Sequence, residues 1–111
     1  MAKKGIPKKI IKTVENYTQR LSDEEKLSIE RVIIYGSYAK GKTHKWSDID
    51  VCIISPKFKD SFEAIEFLLH KRNKKEVLIG LEPIGFTKRD FREGSSLIEE
   101  IKKTGVEIIK Q

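Results

Sequence analysis

Asp48-Ile49-Asp50 stands ten residues after Gly36-Ser37, and these two short groups carry the chemistry that can be read from the chain. Successive side chains of a strand point to opposite faces, so Asp48 and Asp50 share one face while Ile49, Val51 and Ile53 share the other. Two neighbouring carboxylates repel each other unless a cation lies between them, and an all-oxygen donor set suits Mg²⁺. A glycine lets backbone N–H groups approach an anion closely, so Gly36-Ser37 reads as a phosphate cradle facing a metal site. Together they form the minimum apparatus for moving a phosphoryl or nucleotidyl group. The competing structural readings are that the aspartates only end a strand and that Ser37 only caps the turn after it.

The elements that must position these residues are legible on either side. Arg31–Tyr35 and Val51–Ile54 are short, β-branched runs bounded by turn-forming or polar residues, which predicts strands over 31–36 and 48–54. Ile10, Ile11, Val14, Tyr17 and Leu21 recur at helical spacing after Pro7. Ser22-Asp-Glu-Glu25 has a capping-box pattern that restarts or bends that helix. A short helical turn is expected from Ser37 to about Lys42, then a loop to Ser47. Phe62, Ile65, Phe67, Leu68 and Leu69 predict a helix over 60–72 with a basic end, which complements the helix dipole.

A third strand is expected from about Val77 to Phe86, with Pro83 placing it at a sheet edge or bulge. Thr87-Lys-Arg-Asp90 begins a further helix, and Gly94-Ser95-Ser96 caps a last one that Gly105 stops. Val106 to Ile109 reads as a short terminal strand. The expected architecture is α/β of the α+β kind: a small mixed sheet of about four strands, with helices mainly on one face and the other left for the site.

At this point the chain resembles the polymerase-β-type nucleotidyltransferase superfamily, and its short length is similar to the minimal nucleotidyltransferase domains within it. The resemblance rests on IIYGSYAKGKTHKWSDIDVCII, in which strand, Gly-Ser turn, Gly41 and Ser-Asp-Ile-Asp fall in order, and it covers roughly residues 30–90. It implies that Asp48 and Asp50 hold two Mg²⁺ ions. Gly36 and Ser37 would bind the outer phosphates of ATP or another nucleoside triphosphate. It also implies a third carboxylate on a later strand, which completes the metal site and helps deprotonate the acceptor. Glu82 is the choice, with Glu replacing the commoner Asp and Pro83 following directly; Glu76 is the competitor.

The activity implied is transfer of a nucleoside monophosphate to an acceptor hydroxyl. Minimal domains of this type often pair with a small helical HEPN-class protein as antitoxins that adenylylate it. The alternatives are a catalytically weak nucleotide- or partner-binding module, and a basic nucleic-acid-binding domain.

Composition narrows these choices. The chain of 111 residues is expected to form a single domain, 1–111, with one modest core. Its net charge of +6 favours an anionic partner without choosing a nucleotide, a nucleic acid or an acidic protein. No aromatic-and-basic platform supports nucleic-acid binding as the main role. One cysteine, Cys52, excludes an internal disulfide and reads as a small buried residue. No apolar run reaches the roughly 18 residues that cross a membrane, so a cytoplasmic protein is expected. The sequence leaves the oligomeric state open, a homo-oligomer included. Lys40, Lys42 and Lys45 either steer phosphate or are solvated charges. His44 and His70 are expected to lack chemistry, and Trp46 to pack the loop down.

Overall fold

The computed structural model describes residues 5–110. Its ten elements are α1 (Lys8–Glu24), β1 (Arg31–Tyr35), α2 (Ser37–Lys40), β2 (Ile49–Ile54), α3 (Ser61–His70), α4 (Lys74–Ile79), β3 (Leu81–Phe86), α5 (Lys88–Glu93), α6 (Ser96–Thr104) and β4 (Val106–Lys110). The strands form one mixed sheet in the order β3-β2-β1-β4. β1 runs antiparallel to both β2 and β4, and β2 runs parallel to β3. β3 is thus an edge strand, where a missing donor at Pro83 is tolerated.

Alternation along the strands divides the core in two. Val32, Ile34, Ile49, Val51, Ile53 and Leu81 face α1 and α3, where Ile10, Val14, Tyr17, Leu21, Ala64 and Leu68 complete the main core. Ile33, Cys52 and Ile54 face the opposite way and meet Phe91 of α5 with Ile98 and Ile101 of α6. The second face is therefore covered by the C-terminal helices toward the Ile54 end of β2, while Asp50 near its start stays partly open. Cys52 is buried, and burial pushes its thiol up to about 12, which keeps it protonated and inert.

Two expectations are corrected here. α1 continues through Ser22-Asp-Glu without a restart and ends at Glu24; the chain then turns at Lys26, whose φ is +57°. The stretch from Val77 is not strand: residues 74–79 form α4, and β3 begins only at Leu81. The cause is local. Asn73 accepts from the Glu76 backbone N–H at 2.9 Å while the Glu76 side chain accepts from the Asn73 N–H at 2.8 Å, a capping box that satisfies two otherwise orphaned donors. Gly80 then ends the helix in the left-handed conformation.

Glu76 is also fixed from the other side. Its carboxylate is buried and receives both Arg20 guanidinium nitrogens, at 2.6 and 2.9 Å. Truncating one partner of such a pair leaves the other charge desolvated. Glu76→Ala is accordingly expected to cost about 2 kcal/mol in urea unfolding, with nucleotide binding unchanged in the folded protein. Loss of nucleotide binding by the folded variant would instead place Glu76 in the site.

Candidate active site

β1 delivers Tyr35 to the edge of the site and ends there, because Gly36 takes φ +74° and ψ −148° and turns the chain into α2. The turn is tied by the Lys40 N–H donating to the Gly36 carbonyl at 3.1 Å and the Lys42 N–H donating to the Ser37 carbonyl at 2.9 Å. A β-carbon at position 36 would stand 2.2 Å from Asp50 Oδ2, so the backbone of the Gly-Ser turn approaches the Asp50 carboxylate as only glycine permits.

Across the sheet, Asp50 is the register partner of Tyr35 on one side and of Glu82 on the other. Three neighbouring strands thus set Tyr35, Asp50 and Glu82 in one row. Asp48 precedes β2 and is positioned from the far side of the row. The Ile49 N–H donates to the Gly80 carbonyl at 2.8 Å, and a β-carbon on Gly80 would stand 3.0 Å from Asp48 Oδ1. α4 and its glycine therefore seat Asp48.

The electrostatics match a site built for a cation. Burial first, then the charges of Asp48 and Glu82, push the Asp50 carboxyl above its ordinary range. Burial and the nearby acidic groups, Asp50 foremost, push the Tyr35 phenol up as well. With Asp50 raised, the folded chain keeps that proton to higher pH than the unfolded chain does. Its stabilising contribution is full below the ordinary carboxylate range and is lost as pH rises through the raised value. Thermal melts in EDTA should therefore show Asp50→Asn gaining on the wild type as pH rises above the ordinary carboxylate range. A difference independent of pH would show that Asp50 does not carry the strain.

Glu82 differs from the aspartates in having a protein partner. Arg72 Nη1 lies 3.2 Å from Glu82 Oε2 and also donates to the Leu81 carbonyl at 3.0 Å. The Arg72 Nε donates to the Leu69 carbonyl at 3.1 Å, so this guanidinium is pinned by backbone at both ends of its reach. With Glu82 turned to Arg72, the described residues contain no ready cluster of three metal-ligating side chains. The donor chemistry nonetheless fits a hard divalent ion: oxygen groups only, mutually repelling, beside a backbone turn that leaves them space. Arg72 was not singled out from sequence, where it is one of many basic residues after α3 and nothing local links it to Glu82.

The other candidates fall outside the row. Glu76 points to Arg20, as described above, and not toward the aspartates. His44 is exposed and its Nδ1 accepts from the Trp46 N–H at 3.2 Å, a bond internal to the loop. Trp46 does not pack the loop down: it is 78% exposed, with only Lys45 Nζ over its ring at 5.1 Å. The loop is held instead by Ser47, whose hydroxyl accepts from the His44 N–H at 2.8 Å, so the indole is not needed for closure.

Comparison with known proteins gives the family and the fold. The nucleotidyltransferase domain family matches residues 11–108. A protein of Methanocaldococcus jannaschii named "Putative protein adenylyltransferase" is 31% identical over 102 residues, which span 89% of this chain and 98% of the relative. Among solved structures, a nucleotidyltransferase from Sulfolobus solfataricus, itself described as putative, superposes with a TM-score of 0.66. It is 17% identical, and the match covers 93% of this chain and 82% of that one. A toxin–antitoxin structure with AMP-PNP superposes at 0.58 with 19% identity, covering 87% of this chain and 73% of that one. With the carboxylate row, the glycine turn and a family match over most of its length, the chain belongs to the nucleotidyltransferase domain family of the polymerase-β-like superfamily.

Proposed function

We propose that this protein transfers AMP from ATP, in a Mg²⁺-dependent reaction, to a hydroxyl on a separate protein, and that it serves as the antitoxin of a pair whose partner is a helical HEPN-type protein. The observation that carries the reading is the row of Asp50 and Glu82 on paired strands, with Asp48 alongside and the Gly36 turn in close approach. The adenylyltransferase name of the M. jannaschii relative and the toxin–antitoxin neighbour support the acceptor class and the pairing.

Asp48, Asp50 and Glu82 would hold the divalent ions, which when bound neutralise the triphosphate and the carboxylates together. The backbone of Gly36 and Ser37 would cradle the outer phosphates. The acceptor oxygen attacks the α-phosphorus, the bond from that phosphorus to the bridging oxygen breaks, and pyrophosphate leaves. Glu82 takes the acceptor's proton once its carboxylate is released from Arg72. Holding acceptor and α-phosphate in line is the protein's larger contribution, since orientation alone supplies several kcal/mol of such a barrier.

Calorimetric titration of ATP with and without Mg²⁺ tests the site. Binding should require Mg²⁺ and should vanish in Asp50→Asn. If neither protein binds, the domain acts on its partner by contact alone.

A further inference from the structure

The exposed apolar surface is not scattered evenly. Val77, Leu78 and Ile79 are consecutive, all exposed, and fill the second half of α4; Leu78 is 76% exposed. Ile79 adjoins Gly80, which seats Asp48, and Trp46 stands two residues before Asp48 on the other side of the same junction. The largest exposed apolar side chains near the site thus flank its first aspartate. Beneath α4 a groove of about 520 Å³ continues the patch toward α1, with Leu78, Ile79, Lys75 and Arg20 among its walls. A short helix with its apolar side turned to water, next to a reaction centre, marks a surface that another molecule covers.

Charge selects what covers it. Lys45, over the Trp46 ring, and Lys74 and Lys75 of α4 border the patch, all exposed and in no ion pair among the described residues. In a twofold dimer the same patch meets itself, which would set these lysines against their own copies in a chain already at +6. A second copy is therefore disfavoured, and an apolar segment rimmed with carboxylates is favoured.

We infer that Trp46 and the Val77–Ile79 face of α4, with their lysine rim, form the docking surface for an acidic protein that presents its hydroxyl to the adjacent site. This deepens the proposed function and rests on it for the hydroxyl, while the docking itself can be read without any nucleotide. Tyrosine joins an apolar ring to a hydroxyl, so a random copolymer of glutamate and tyrosine is a suitable probe.

Trp46 is the only tryptophan in the chain and adjoins Ser47, whose carbonyl oxygen faces Gly80 at the end of α4, so its emission reports a molecule that covers this junction. Excited selectively, it should shift to the blue and saturate as the copolymer is added. The affinity should fall at least about 10-fold in Leu78→Asp and in a Lys74→Glu/Lys75→Glu double variant. Leu78→Ser, with circular dichroism on each protein, separates lost docking from lost folding. Asp50→Asn should lose Mg²⁺-dependent ATP binding yet dock the copolymer normally. Failure of ATP binding alone would sink the transferase reading and leave the docking surface standing.

The inference is overturned if Trp46 does not respond, if the variants bind as the wild type does, or if polyglutamate of equal length binds as tightly. A blue shift that grows with protein concentration alone would assign the patch to a second copy instead.

Discussion

Asp50→Asn should lower nucleotide transfer about 10³-fold or more while leaving the protein slightly more stable than the wild type. Both halves of this result come from one fact. The carboxylate is partly buried between Asp48 and Glu82, and all three influences, burial foremost, oppose its charge. Asparagine keeps the shape and hydrogen-bonding capacity but removes the repulsion, so the melting temperature should rise by about 2–4 °C at neutral pH in EDTA. Mg²⁺ should raise the wild-type melting temperature and leave the variant's unchanged, because the neutral amide is a poor substitute for an anionic ligand. A variant that melts lower than the wild type in EDTA would show that the Asp50 charge is stabilised by a group other than a cation. Wild-type transfer rates in the variant would remove Asp50 from the reaction.

Gly36→Ala should impair the site by geometry rather than by charge. The added carbon would stand 2.2 Å from Asp50 Oδ2, and φ of +74° disfavours any side chain. Either the Gly-Ser turn opens or the Asp50 carboxylate rotates away, and each outcome separates the proposed phosphate cradle from the proposed metal ligand. Backbone strain of this kind costs about 1–2 kcal/mol. A displacement on the order of 1 Å at a reacting centre lowers the rate about 10²-fold. The expected signature is weaker Mg²⁺-dependent ATP binding together with a lower midpoint in urea. Gly41→Ala serves as the control: its φ is also positive, +69°, but nothing lies within 4 Å of its β-carbon. It should show the backbone strain without the loss of binding. Equal nucleotide affinity in the two variants would mean that the close approach at Gly36 has no part in binding.

Gly36-Ser37 and Asp48-Ile49-Asp50 meet in the structure because they sit at the joined ends of an antiparallel pair. Strand periodicity placed Asp50 on the face opposite Ile49 and Val51, and the register of β1 with β2 sets Tyr35 beside it. Capping signals were equally legible at Thr87 and Ser95, whose side chains accept from the Asp90 and Ile98 N–H groups. These features depend on neighbours within a few residues, where spacing in the chain is spacing in space.

The misread stretch at α4 shows the limit of that logic. Val77-Leu-Ile79 has the composition of a strand, and the Asn73–Glu76 capping box with Gly80 at the far end makes it a helix instead. Trp46 differs from its expectation for a related reason: a large aromatic normally seeks cover, and local composition does not say whether the chain supplies it.

The sequence alone determined the strand–turn–strand unit, the face of Asp50 opposite Ile49 and Val51, and the glycine turn beside it, since each follows from local geometry. Only the tertiary structure decided three things. β3 pairs parallel to β2 so that Glu82 falls opposite Asp50, Arg72 reaches back to claim Glu82, and Arg20 removes Glu76 from the site. Each joins residues brought together by the packing of α1 and α3 on one face of the sheet. The partner of a buried or half-buried charge is set by that packing, and no local pattern in the chain encodes it.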